Sequence, residues 1–164
     1  MIPQTVIQVG MAELNVIQGE GMLKTSGLGS CIGLVLYDLQ CKAAGMAHMM
    51  LPSSSIARAK QMNEAKFIDT AIPALIHSLV ELGASRKRLS AKMAGGSQMF
   101  AFTASTEAMR IGSRNISACR ELLTVYGIQL VAEDTGGHYG RTIEFNCATG
   151  KLFVRSVNQG SKEI

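Results

Sequence analysis

A thiol and an imidazole side by side can carry out acyl chemistry: the imidazole takes the thiol proton, and the thiolate attacks. The chain offers four cysteines, at 31, 41, 119 and 147, and three histidines, at 48, 77 and 138. Position separates the histidines. His77 falls on the polar face of a helical pattern. His138 stands in Asp134-Thr135-Gly136-Gly137-His138-Tyr139-Gly140-Arg141, where a loop alone accounts for it. His48 stands in the run Lys42 to Leu51, which returns antiparallel to the buried-strand pattern Cys31-Ile32-Gly33-Leu34-Val35-Leu36-Tyr37. A turn centred between Leu39 and Gln40 predicts the pairs Tyr37–Lys42, Val35–Ala44, Gly33–Met46 and Cys31–His48. Directly opposed residues project to one side of a sheet with Cβ atoms about 4.5–5.5 Å apart. A slip of one residue would send sulfur and ring to opposite faces.

Such a nucleophile needs donors for the oxyanion it creates. The backbone amides of Ser26, Gly27, Leu28, Gly29, Ser30 and Cys31 are the candidates, because glycine permits close approach and unusual dihedrals. Thr25 or Ser26 supplies a hydroxyl to orient the histidine or the substrate, and Gly33 leaves open space beside the pair. If His48 activates Cys31, that thiol should alkylate faster than the others near neutral pH. Cys41 in a turn, Cys119 on a helix core face and Cys147 in a hairpin loop have no histidine partner and read as structural. The competing reading of Cys31 and His48 is packing, the usual role of a cysteine in an apolar strand.

Other chemistries are poorly served. Gly27-Leu28-Gly29 begins a dinucleotide fingerprint, but Ile32 stands where its third glycine is required. A phosphate-cradling GxxxxGK[ST] loop is absent, and no His/Cys cluster has zinc spacing, so no cofactor or metal is expected. Met46, Met49 and Met50 around His48 read as core filling. With a net charge of +4, one dense basic run at Arg86-Lys87-Arg88 and no Trp, the chain does not argue for nucleic-acid binding. That run reads as a solvated turn before a strand.

The elements that must position these groups come next. Apolar residues make up 47% and charged residues only 17%, which excludes a disordered chain and suits one domain over 1–164. No stretch approaches the roughly 18 apolar residues of a membrane helix. The start, Met1-Ile-Pro-Gln-Thr-Val, has no basic segment ahead of an apolar one, and the cysteines show no CxxC pairing. Reduced thiols in the cytoplasm are therefore expected. Short strands are predicted at 5–9, 14–17 and 21–25. Helices are predicted at 64–82, with Asn63 as N-cap and Pro73 bending or dividing it, and at 116–126. Phe67, Ile68, Ala71, Ile72, Leu75, Ile76, Leu79 and Leu82 face inward on the first helix. Ile116, Cys119, Leu122, Leu123 and Tyr126 do so on the second. After each helix comes Gly, a short strand and a Gly-Gly pair (Gly83 to Gly95-Gly96, Gly127 to Gly136-Gly137). Strands at 142–145 and 152–155 flank a hairpin at Cys147–Gly150. Strands outnumber helices, so the expected class is α+β with helices against sheet.

Leu28-Gly29-Ser30-Cys31-Ile32-Gly33 and Ala44-Gly45-Met46-Ala47-His48-Met49-Met50-Leu51-Pro52 resemble the active-site region of the CheD chemoreceptor glutamine deamidases. The resemblance continues through Ala94-Gly95-Gly96-Ser97-Gln98-Met99-Phe100, Ile111-Gly112-Ser113-Arg114-Asn115, the Asp134–Arg141 segment and Ala148-Thr149-Gly150. His138 departs from it, standing where Asn is more usual. The resemblance implies a layered α/β/β sandwich. It also implies conversion of glutamine side chains of methyl-accepting chemotaxis receptors to glutamate, with Cys31 as nucleophile, His48 as general base and Thr25 as third member. A glutamyl methyl ester could follow the same path. A further implied partner is the chemotaxis phosphatase CheC. The alternative is a non-catalytic binding module of the same pathway.

Overall fold

The computed structural model describes residues 4–56, 63–99 and 110–164. Met1–Pro3 and Phe100, the last residue of the motif that begins at Ala94, lie outside the described residues. Among the described residues, ten strands form two five-stranded sheets. The strands are β1 (Val6–Gln8), β2 (Leu14–Gln18), β3 (Met22–Leu28), β4 (Ile32–Asp38), β5 (Ala43–Met49), β6 (Ser90–Gly95), β7 (Gln129–Thr135), β8 (Arg141–Asn146), β9 (Lys151–Ser156) and β10 (Gly160–Glu163). One sheet has the order β1-β3-β8-β9-β10, the other β2-β5-β4-β6-β7. Helices α1 (Ile68–Glu81) and α2 (Ile111–Val125) cover the outer face of the second sheet. The result is the expected α/β/β layering of an α+β fold. None of the described helices is long and apolar enough to cross a membrane.

The two faces of the central sheet explain why β4 and β5 read as continuous apolar runs. Ile32, Leu34 and Leu36 of β4 and Ala43, Ala47 and Met49 of β5 pack under α1 and α2. The alternate set, Val35, Tyr37, Ala44 and Met46, packs against Leu23, Leu28, Ile143, Phe145, Leu152 and Val154 of the other sheet. A strand buried on both sides has no polar face to alternate with.

The β4–β5 register differs from the expectation by two residues. Asp38 pairs with Ala43, Tyr37 with Ala44, Val35 with Met46 and Gly33 with His48. The connection is a four-residue loop, Leu39–Lys42, in which Asp38 Oδ1 accepts the Gln40 amide at 3.1 Å and Lys42 takes φ 53°. A shift of two preserves the side on which each residue projects, so Cys31, just ahead of β4, and His48 both face the inter-sheet layer.

Other boundaries moved for identifiable reasons. Asn63 does not cap α1: its Oδ1 accepts the Ala65 amide and its Nδ2 donates to Ala12 O, closing a separate turn, and the helix begins at Ile68. Pro73 does not divide α1, which is continuous to Glu81; near the N-terminal end, all it forfeits is one amide bond to the Asp69 carbonyl. Both helices end in the same motif, with Gly83 and Gly127 donating to Val80 O and Thr124 O and the following residues to Leu79 O and Leu123 O. Tyr126 is exposed, not inward. Helix α2 starts five residues earlier than its apolar periodicity indicates. It links β6 to β7, which pair in parallel.

Candidate active site

Thr25, Cys31 and His48 come from three adjoining segments: β3 of one sheet, and the start of β4 and the end of β5 of the other. Thr25 is fully buried, and its hydroxyl donates to Val9 O at 2.6 Å. That oxygen lies 2.7 Å from His48 Nδ1. Since the hydroxyl proton is given to Val9, the Thr25 oxygen accepts from Nδ1–H, and the tautomer follows: Nε2 carries the lone pair. Nε2 is buried and has no hydrogen-bond partner among the described residues. The His48 backbone is pinned by its N–H to Glu13 O at 2.9 Å and by the Ala12 amide to its own carbonyl at 3.0 Å.

Gly33, expected to leave open space, does something else. A Cβ at Gly33 would lie 2.6 Å from Ile143 Cδ1, 3.0 Å from Leu28 Cδ1 and 3.4 Å from Thr25 Cγ2. The missing side chain lets the opposite sheet press in until the Thr25 hydroxyl reaches the ring. A bulge helps: Thr25 pairs with Ile143 and Leu28 with Arg141, so β3 carries one extra residue between them. Thr25 and Leu28, three apart, thereby both face inward, while Ser26 and Gly27 are exposed. Ser26, Gly27 and Leu28 thus belong to a strand. Only Gly29 and Ser30 form the turn that delivers Cys31.

That turn is fastened from distant parts of the chain. Ser97 N–H donates to Gly29 O and Gly96 N–H to Cys31 O, each at 2.9 Å. Asn115 Nδ2 donates to Ser30 O at 2.9 Å and to Met50 O at 3.0 Å. Gly95, at φ 115°, must be glycine, since a Cβ would stand 2.1 Å from Cys31 O. Behind Ser97 lies Arg141, 2% exposed, which donates to Ser97 Oγ at 2.9 Å and to Asp134 Oδ2 at 3.1 Å. Ser97 Oγ in turn reaches Tyr139 O at 2.7 Å. His138 Nδ1 lies 2.8 Å from Gln98 O, an exposed contact within the same support. The sequence alone gives these segments no task; the clustering of Gly, Ser, Asn and Arg in short motifs is the signal it carries.

The electrostatics run against a preformed ion pair. Burial pushes the Cys31 thiol up, only partly offset by its own backbone N–H, and burial pushes the His48 imidazole down. Both resting groups are therefore neutral at pH 7. A neutral resting pair of this kind does not by itself favour alkylation of Cys31 near neutral pH. Cys41, Cys119 and Cys147 are free thiols. Burial holds Cys119 at about 12, and Cys147 Sγ lies 3.3 Å from Lys42 O.

Residues 50–156 match the family model described as CheD chemotactic sensory transduction. The chain belongs to the CheD family. A protein of Halalkalibacterium halodurans named chemoreceptor glutamine deamidase CheD is 51% identical over 159 residues, which cover 97% of this chain and 98% of that one. The chemoreceptor glutamine deamidase CheD of Bacillus licheniformis is 46% identical over 160 residues, 98% of this chain and 95% of its own. That of Bacillus subtilis is 45% identical over 159 residues, 97% and 96%. The CheD model match begins after Thr25, Cys31 and His48 and covers the segments that support them; the pairwise similarities span both.

Proposed function

We propose that the chain is a cysteine-dependent deamidase that converts glutamine side chains of chemoreceptors to glutamate. The observation that carries this reading is the buried His48 Nε2, without a partner among the described residues, its lone pair fixed by the Thr25–Nδ1 bond, on the same side of the sheet as Cys31. An unsatisfied buried nitrogen is costly, and a general base is one reason to keep it. The names of the CheD relatives supply the substrate class.

The chemistry resembles that of a serine–histidine pair more than that of a resting thiolate. As Cys31 Sγ attacks the carboxamide carbon, His48 Nε2 takes the thiol proton, and Thr25 keeps the ring in the required tautomer. The oxyanion is held by backbone amides of the Gly29–Cys31 turn. Imidazolium then protonates the leaving nitrogen, ammonia departs and a thioester remains. Water, losing a proton to the same Nε2, cleaves the thioester to glutamate and regenerates the thiol. A glutamyl methyl ester would follow the same route with methanol leaving. A regulatory contact with the phosphatase CheC, and action in the cytoplasm, belong to this proposal on the strength of family membership alone.

The test is mass spectrometry of a purified chemoreceptor fragment incubated with the protein. Amide-to-acid conversion is expected, and its loss by about 10⁴-fold or more is expected in Cys31→Ala, as for removal of other nucleophiles. Conversion that survives Cys31→Ala would overturn the assignment. Loss of partner binding in Cys31→Ser, without any conversion by the parent protein, would favour the binding module.

A further inference from the structure

Three successive carbonyls, those of Gly29, Ser30 and Cys31, are each claimed by a donor: Ser97 N–H, Asn115 Nδ2 and Gly96 N–H. In a trans peptide the C=O of one residue and the N–H of the next point in opposite directions across one plane. Anchoring the Gly29 carbonyl therefore aims the Ser30 amide away from Ser97. Anchoring the Ser30 carbonyl likewise aims the Cys31 amide away from Asn115. The Gly29 amide is already given to Gly27 O at 3.1 Å, which leaves the Ser30 and Cys31 amides as the pair for the oxyanion.

Asn115 is the side chain among these anchors, and its geometry is specific. Both of its contacts are carbonyl oxygens, so Nδ2 faces them and Oδ1 faces away. Among the described residues Oδ1 is buried without a hydrogen-bond partner, so what fixes this amide in place is its two donated bonds. One of its two carbonyls precedes the nucleophile, and the other, Met50 O, lies two residues after His48. Helix α2 reaches this place because Gly112 has no side chain: a Cβ there would stand 2.3 Å from Ser97 O and 2.6 Å from Gly96 O. We infer that Asn115 is a positioning residue that, with Ser97 N–H, sets the Ser30 and Cys31 amides as a two-donor oxyanion hole and ties that hole to the strand end carrying His48. The inference rests on the deamidase reading for its chemistry.

Three readouts on Asn115→Ala and the near-isosteric Asn115→Asp test it. Turnover of the receptor fragment should fall about 10–100-fold in kcat with KM little changed, somewhat less than the 10²–10³ lost when an oxyanion donor itself is removed. Alkylation of Cys31 by iodoacetamide, a displacement with no oxyanion, should keep its rate and pH profile. In ¹⁵N spectra the Ser30 and Cys31 amide resonances should shift. Unchanged kcat, or alkylation falling in step with turnover, would overturn the inference, the second because Asn115 would then act on the thiol–imidazole pair or the fold. If Asn115→Ala does not fold, Asn115→Asp carries the comparison. Should the parent protein convert no glutamine at all, the deamidase reading fails, and the amide shifts still decide whether Asn115 aims these two peptide planes.

Discussion

The inter-sheet layer buries a basic side chain at each end, and the two ends treat theirs differently. Lys92, 8% exposed, gives its ammonium to Gly150 O at 2.7 Å and Ile164 O at 2.9 Å and lies 5.8 Å from the Tyr37 ring. His48, 1% exposed, is satisfied at Nδ1 and, among the described residues, bare at Nε2. A buried polar group with its partners complete is holding the fold together. One left with an open valence for hydrogen bonding is held in reserve for something that arrives later.

Thr25→Val sharpens that contrast most. It keeps the volume, removes the acceptor for Nδ1–H and frees the ring to adopt either tautomer. Deamidation should fall about 10–100-fold in kcat, roughly 1.4–2.7 kcal/mol of transition-state stabilisation, while the fold persists by circular dichroism. Turnover unchanged in Thr25→Val would break the comparison from the functional side. Lys92→Met should do the reverse. The buried Gly150 carbonyl loses the ammonium that it accepts, while Ile164 O keeps the Leu152 amide, so unfolding in urea should show a loss of about 1–2 kcal/mol, with kcat retained below the new melting temperature. A Lys92→Met protein of unchanged stability but lost activity would exchange the roles assigned to the two ends.

The smallest effect is in the pH profile. With His48 pushed below its ordinary 6.5 by burial, the base stays neutral in the fold into mild acid, so the acid limb of kcat/KM should lie below pH 6.5. The unfolded chain binds that proton first, so this histidine's contribution to stability is present above pH 6.5 and is lost as pH falls through the depressed value. With the thiol pushed above its ordinary 9.0, alkylation of Cys31 should climb only in alkaline solution. An alkylation limb below pH 7 would restore the thiolate–imidazolium pair.

Much of this was readable in the chain. The apolar runs of β4 and β5, the amphipathic stripe of α1 and the glycine stops after both helices depend on neighbours close in sequence. The side on which Cys31 and His48 project is also legible, because the pleat repeats every two residues and the register differs from the expected one by an even number. The pairing partner of His48 was not. Loop length depended on Asp38, which burial alone would raise but which Arg88 and the Ser85 and Gln40 amides hold at about 2. A carboxylate so engaged extends β4 by one residue and moves the turn centre. The same contact gives Arg88, in the basic run read as a solvated turn, a buried partner at 2.9 Å. The first turn of α2 was hidden because Gly112, Ser113 and Asn115 have weak helix propensity; contacts 65 and 85 residues away in sequence decide it. Strand β10, Gly-Ser-Lys-Glu and exposed throughout, offered no alternation to detect.

The fastening of the Gly29–Cys31 turn has a consequence for the order in which the protein is made. Hydroxyl, sulfur and imidazole all leave the ribosome within the first third of the polypeptide, while everything that clasps their turn is translated later. A nascent chain halted at residue 90 would carry these three side chains without the later contacts that hold their turn. On the proposed mechanism, competence arrives only once α2 and the Asp134–Arg141 segment have been synthesised and have closed over the far earlier cysteine.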